Sequence, residues 1–235
     1  MNREPIDWEQ AEDSFLGPSL AAGDATGWFD RLYAAAVDGR VTMPWSRENP
    51  HPLLVDWAHR TQLRGAGRTA VVVGCALGAD AEFIAGLGFT TVAFDVSATA
   101  ITLARERHPD TGVTYLSADL LDTPAEWRHA FDLVVEIITL QALPPDLHAR
   151  AAAAVRDLVA SDGTLLVIGA VPDTETPNTA VPDDGTAAAP WPLTRAEIDA
   201  LASDGLHAVA IDTLPMPDRP GESRWRAVYH RPAQN

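Results

Sequence analysis

The fold class this sequence predicts is α/β, with a doubly wound, mostly parallel sheet. Three observations predict it. From residue 69 onward, short apolar runs alternate with stretches of helical length. The first run, TAVVVG (69–74), is continuously apolar, as expected of a strand covered on both faces. It passes through the small-residue turn Gly74-Cys75-Ala76-Leu77-Gly78 into a helix, a connection on which such sheets build ligand sites.

The elements follow in order. Residues 1–24 read as a loosely ordered acidic arm. ATGWFDRLYAAAVD (25–38) predicts a helix whose bulky residues are Trp28, Phe29, Leu32 and Tyr33. After a loop containing MPW (43–45), residues 51–63 place Leu54, Trp57 and Ala58 on one helical face. Strand one (69–74) leads to a helix at 79–87. TTVAFD (90–95) is strand two, and Ser97 can cap the helix that follows, about 98–108. VTYLSAD (113–119) and FDLVVEI (131–137) are strands three and four. Helix 146–159 carries Leu147, Ala151, Val155 and Leu158 on one face. The Asp162-Gly163 turn then opens strand five, 164–170. Residues 171–193 are rich in Pro, Thr, Asp and Gly and predict a long loop. Thr194 and Glu197 have the spacing of a capping box for a helix near 195–203. Segments 206–216 and 223–232 read as a strand hairpin.

Charge and composition exclude several function classes. The formal net charge is −16, so the chain would repel the phosphates of nucleic acid and the surface of an anionic membrane. The acidic start MNREPIDWEQAED does not read as a signal peptide, and no apolar run is long enough to predict a membrane span. A cytoplasmic location is the default expectation. One cysteine makes neither an internal disulfide nor a structural zinc site, and the seven histidines lack metal-ligand spacing. No metal is expected.

The strand ends carry the chemistry. Gly74 and Gly78 allow a tight turn and close approach of backbone to ligand. Strand two ends in Asp95, which can accept hydrogen bonds from ribose hydroxyls. Strand three ends in Ala118-Asp119-Leu120, where the acid can meet an adenine amino group and Leu120 can pack on its ring. A dinucleotide would need G-x-G-x-x-G spacing, and a Walker loop would need Gly-Lys-Ser/Thr; neither occurs. An adenosine cofactor without phosphates, S-adenosyl-L-methionine, suits these residues better. A nicotinamide-dependent oxidoreductase on a similar sheet is the competing class. Its frequent Tyr-x-x-x-Lys pair is impossible in a chain that has no Lys.

VVVGCALGAD (71–80), VAFDVSATAI (92–101), SADLLD (117–122) and FDLVVEIITLQALPP (131–145) resemble the successive motifs of class I S-adenosylmethionine-dependent methyltransferases. The resemblance covers roughly residues 25–232. MPWSRENPHPLLVDW (43–57) is similar to the Pro-Trp-Asp-x-Gly-x-Pro-x-Pro segment of the thiopurine and halide/thiol branch. The resemblance implies a Rossmann-like, seven-stranded sheet, mostly parallel, with an antiparallel C-terminal hairpin and a helical N-terminal lid. It divides a single domain into an acidic arm (1–24), a helical lid (25–66) and a core (67–235).

The resemblance also implies contacts to the cofactor. Phe29, Tyr33 and Trp45 would close over it, and Gly74, Asp95, Asp119, Leu120 and Ile137 would hold it. The adjoining Cys75, Ala76, Val96, Ala118 and Glu136 complete the candidate set. Three positions depart from the pattern. Ala76 stands for the usual middle glycine, Val72 for a frequent acid, and Ser46 for the Asp after Pro-Trp. Ala76 is tolerable at negative φ and costs about a kcal/mol at positive φ. Asp80 or Glu136 could replace the acid missing at position 72.

Methyl transfer from a sulfonium is an in-line displacement that positioning and exclusion of water can promote. A halide or thiolate acceptor needs no base, whereas a phenol or amine can need one. Glu136 and Tyr33 are the catalytic candidates. Glu136 also has a reading as a hydrogen-bonding group behind the site. Cys75 reads as a buried filler, not a nucleophile, and His148 as a surface or cap residue. Thr139 and Gln141 can face either cofactor or acceptor, and Tyr33, Trp191 and Arg224 are candidates for the acceptor pocket, with core or rim roles as the alternative. The expected partner is a small-molecule methyl acceptor, and the expected state is a monomer or weak homodimer. The arm, helix 25–38 and loop 171–193 are expected to form a lid. A binding protein that has lost catalysis remains a third class, and Ala76 and Val72 are what such decay would look like.

Overall fold

The computed structural model describes residues 4–172 and 189–233. One seven-stranded sheet organises them. Its strands are β1 (Thr69–Val73), β2 (Thr90–Asp95), β3 (Thr114–Ser117), β4 (Phe131–Ile137), β5 (Val159–Ala170), β6 (His207–Pro215) and β7 (Ser223–His230). The spatial order is β3-β2-β1-β4-β5-β7-β6. β1 to β5 run parallel, and β7 lies antiparallel between β5 and β6. This is the mostly parallel sheet with an antiparallel C-terminal hairpin that the sequence predicts.

The helices are α1 (Trp8–Ala21), α2 (Gly27–Val37), α3 (Pro52–Arg60), α4 (Ala79–Gly86), α5 (Ala98–Arg107), α6 (Pro145–Leu158) and α7 (Arg195–Ala200). β1 shows why its sequence is apolar throughout. Val71 and Val73 face a core built with α6 and α7, while Ala70 and Val72 face a second core built with α3, α4 and α5. A third cluster joins Leu16 of α1, Trp28 and Leu32 of α2, and Trp191. Among the described residues no helix is long and apolar enough to cross a membrane.

The structure corrects several readings. The acidic arm is not loosely ordered from Trp8 on, because α1 forms there. Asp7 caps it by accepting from Glu9 N at 2.9 Å, and Leu16 is fully buried. The apolar face of α1 is legible only against α2 and Trp191, which lie far away in sequence. Strand five begins earlier, at Val159, and Asp162 stands inside it at φ 62. Helix 195–203 stops at Ala200, although the expected Thr194–Glu197 capping box is present. His148 is buried, not a surface residue. Its Nε2 lies 2.8 Å from the Leu143 carbonyl and its Nδ1 2.7 Å from Glu197 Oε1, linking α6 to α7. With Ala151, Val155 and Leu158 it completes the buried face of α6.

Candidate active site

The chain leaves β1 toward β2 and β3 on one side and returns to β4 on the other. That reversal opens a crevice beyond the carboxyl ends of the strands. A pocket lies there. Its floor is the Gly74–Asp80 loop, with Asp95 and Val96 after β2 and Ala118 to Leu120 after β3. Ile137, Ile138 and Thr139 line it after β4, and Thr26, Phe29, Tyr33, Trp45 and Arg47 line it from the N-terminal segment.

The loop glycines are needed by the fold itself. Gly74 has φ 59, and a Cβ there would strike Thr139 Oγ1. Gly78 has φ 92, and a Cβ there would strike the Tyr115 hydroxyl. Ala76 also adopts a left-handed conformation, at φ 47. The departure from glycine is therefore the strained case, not the tolerated one. Its N–H donates to Asp95 Oδ2 at 3.0 Å, which holds the loop in that shape.

Asp95 ties two strand ends together. Its Oδ1 accepts from Ser97 N at 2.9 Å while Oδ2 holds Ala76. Burial pushes its pKa up against these hydrogen bonds. Ser97 Oγ in turn donates to Asp30 of α2 at 2.7 Å, and Thr99 N donates to the same oxygen at 2.9 Å. The helix above the pocket is thus fastened to the start of α5. Asp119 accepts from Leu121 N at 2.8 Å, and Leu120 is buried.

The aromatic candidates converge. Trp45 has ring centroids 5.8 Å from Phe29 and 5.7 Å from Tyr33. Tyr33 is buried, and its hydroxyl has no hydrogen-bond partner. Burial, then Asp95 and Cys75, raise its pKa well above the usual phenol value. It can donate a hydrogen bond but is no base at neutral pH. Burial, followed by Asp95, likewise pushes the Cys75 thiol well up, which opposes a nucleophilic role.

Some candidates fall elsewhere. Glu136 does not line the pocket. It is 1% exposed, behind the wall, and accepts from Leu140 N at 2.9 Å. Burial raises its pKa to about 7. Its position matches the reading as a hydrogen-bonding group behind the site. Gln141 is also behind the wall, where its carbonyl accepts from Trp191 N at 2.6 Å. Trp191 packs in the N-terminal cluster, and Arg224 pairs with Glu222. Thr139 does line the pocket. The central part of the expected 171–193 lid lies outside the described residues.

Asp80, one of the two suggested replacements for an acid at position 72, is in the wall. Its Oδ1 accepts from His51 N at 2.6 Å, and burial raises its pKa. Sequence reading missed Arg47, Ile138, Ala142 and Leu143 as lining residues. Arg47 follows the Pro-Trp pair closely enough to have been found. Ile138 gave no signal, since its contribution comes from an unusual backbone angle.

The donor set suits a cofactor without phosphates. Among the described lining residues, Asp80, Asp95 and Asp119 face a single cation, Arg47. Three carboxylates would repel a pyrophosphate and favour a ligand carrying positive charge. The orphaned Tyr33 hydroxyl is a buried donor that a ligand could satisfy.

The sheet order is that of a methyltransferase-like fold. Residues 70–163 match the family model for a methyltransferase domain. No curated protein matches the chain in sequence. Solved structures do match its fold. One comes from work on the conversion of a disulfide bond into a thioacetal group during echinomycin biosynthesis. It is 20% identical, with 88% of this chain and 94% of that one covered and a TM-score of 0.67. The 1,6-didemethyltoxoflavin-N1-methyltransferase of Burkholderia thailandensis, solved with 1,6-didemethyltoxoflavin and S-adenosylhomocysteine, is 15% identical. Coverage is 98% and 93%, with a TM-score of 0.64. The N-methyltransferase NodS of Bradyrhizobium japonicum WM9, solved with S-adenosylhomocysteine, is 21% identical, with 80% and 92% covered and a TM-score of 0.60.

Proposed function

We propose that this protein transfers the methyl group of S-adenosylmethionine to a small-molecule acceptor. The observation that carries the reading is the pocket across the ends of β1, β2, β3 and β4, lined by three carboxylates and roofed by aromatic rings. Asp95 would accept from the ribose through lone pairs left free by its two amide bonds, and Asp119 and Leu120 would hold the adenine. Asp80 and the Gly74–Gly78 backbone would hold the amino-acid end. Bound in this way, the cofactor supplies an electrophilic methyl group on a sulfonium. The chain's part is to orient the acceptor and exclude water, which Phe29, Trp45, Ala142 and Leu143 do by presenting apolar surface.

Trp45, after Pro44, supports placement in the thiopurine and halide/thiol branch, and a soft sulfur or halide acceptor belongs to that placement. A role in secondary metabolism, a cytoplasmic location and a monomer or weak homodimer complete the proposal. So does the division into arm (1–24), lid (25–66) and core (67–235). The packing of α1 on α2 and Trp191 joins the arm, the lid and the core.

Calorimetry tests the cofactor. S-adenosylmethionine and S-adenosylhomocysteine are expected to bind at micromolar concentration, and a nicotinamide dinucleotide is not. No binding of either at high micromolar concentration would sink the reading. Formation of S-adenosylhomocysteine with a panel of thiols, halides, phenols and amines then identifies the acceptor. Binding without turnover on the whole panel would favour a protein that has lost catalysis.

A further inference from the structure

Three pocket-lining residues other than glycine have a left-handed backbone: Trp45 (φ 47), Ala76 (φ 47) and Ile138 (φ 68). Ile138 is the most demanding of them. A β-branched side chain crowds its own backbone at positive φ, so the surroundings must impose the conformation.

Those surroundings are on view. Ile138 N donates to the Ile168 carbonyl of β5 at 2.9 Å. Thr139 Oγ1 donates to the Val73 carbonyl of β1 at 3.1 Å. Glu136 reaches forward across the turn, where its Oε1 accepts from Leu140 N at 2.9 Å. Its neighbours in the sheet are Val73 and Val167, so the carboxyl sits in the middle of an apolar layer. Its Oε2 has no partner. Burying a carboxyl with one bare oxygen is unfavourable. The turn it holds is what offsets that burial. Either protonation state leaves Oε1 able to accept.

The turn has wide consequences. It carries Ile137 to Thr139 into the pocket wall and leads through the 3-10 turn Leu140–Ala142 to Ala142 and Leu143, which also line the pocket. In the same turn Gln141 accepts from Ala170 N at the end of β5 and from Trp191 N.

We propose that Glu136 is a positioning residue: by accepting the Leu140 amide across the turn it holds Ile138 in the left-handed conformation, and that conformation shapes the β4 wall of the pocket. The clamp itself is a property of the fold. Its effect on ligand binding rests on the cofactor reading above.

A double-mutant cycle tests the clamp. Urea unfolding is measured for the wild type, Glu136→Leu, Ile138→Gly and the double variant. Glycine takes the left-handed conformation without help. Shifts in the unfolding midpoint that are not additive are therefore expected, and additive shifts would overturn the proposal. If Glu136→Leu alone does not fold, folding regained in the double variant supports the clamp, and folding not regained overturns it.

Titration with S-adenosylhomocysteine reads the pocket. Glu136→Leu is expected to weaken binding about tenfold. Glu136→Gln, which keeps an acceptor, should recover most of the loss. Wild-type affinity in Glu136→Leu would overturn the effect on the wall. A wild type that does not bind would instead defeat the cofactor reading, and the unfolding cycle would still decide the clamp.

Discussion

Ala76 holds φ 47 because its amide meets Asp95, and the methyl group gains nothing from that angle. Ala76→Gly should therefore stabilise the protein by about 1 kcal/mol. The check is a higher urea midpoint with unchanged slope. A lower midpoint would mean that packing of the methyl outweighs its strain. The departure from glycine was visible in the sequence, but the sign of φ was not, because Asp95 imposes it from another strand. The same holds for Glu136. An acid at the end of an apolar strand is conspicuous, yet only the direction of its side chain separates a wall residue from one behind the wall. Gly74, Asp95, Asp119 and Leu120 were legible because strand ends and turn residues mark themselves locally.

The capping box of α7 ties this short helix to α6 through His148. Burial pushes the Glu197 carboxyl up, but hydrogen bonds from His148 and Thr194 outweigh it and bring its pKa to about 2. The native value lies below the ordinary 4.5, so the group stabilises the fold above pH 4.5. That contribution is lost as pH falls from 4.5 toward 2. Glu197→Gln should accordingly flatten the dependence of unfolding free energy on pH in this window. An unchanged slope would show that the carboxyl titrates alike in both states. The Thr194–Glu197 pair was readable because four consecutive residues contain it. The buried face of α1 and the burial of His148 were not, since their partners lie far along the chain. α2 belongs with them: Asp30, which fastens it to Ser97 and Thr99, stands among ordinary helix residues in the sequence.

At the scale of the whole molecule, 33 acidic side chains face 17 arginines. Ion pairs such as Arg226–Asp56, at 2.7 Å, engage part of this excess. The remainder repel one another across the surface, and salt screens that repulsion. The thermal midpoint should rise between about 10 mM and about 200 mM sodium chloride, as the Debye length shortens from about 30 Å to below 10 Å. A fall would show that attractive pairs dominate. The sheet order was readable as a class because alternating strands and helices admit few topologies. The closing of the N-terminal helices over one end of the sheet was implied only by resemblance.

Trp45 also stands in a row of indoles. Its ring centroid lies 4.7 Å from that of Trp8 and 6.0 Å from that of Trp28, and its other neighbours face the crevice. Rings that close share their excited states. The corner where α1, α2 and the Pro44-Trp45 segment meet is therefore an intrinsic optical gauge. Near-ultraviolet circular dichroism and tryptophan emission, compared between the wild type and Trp45→Phe, isolate what those rings contribute among the seven tryptophans.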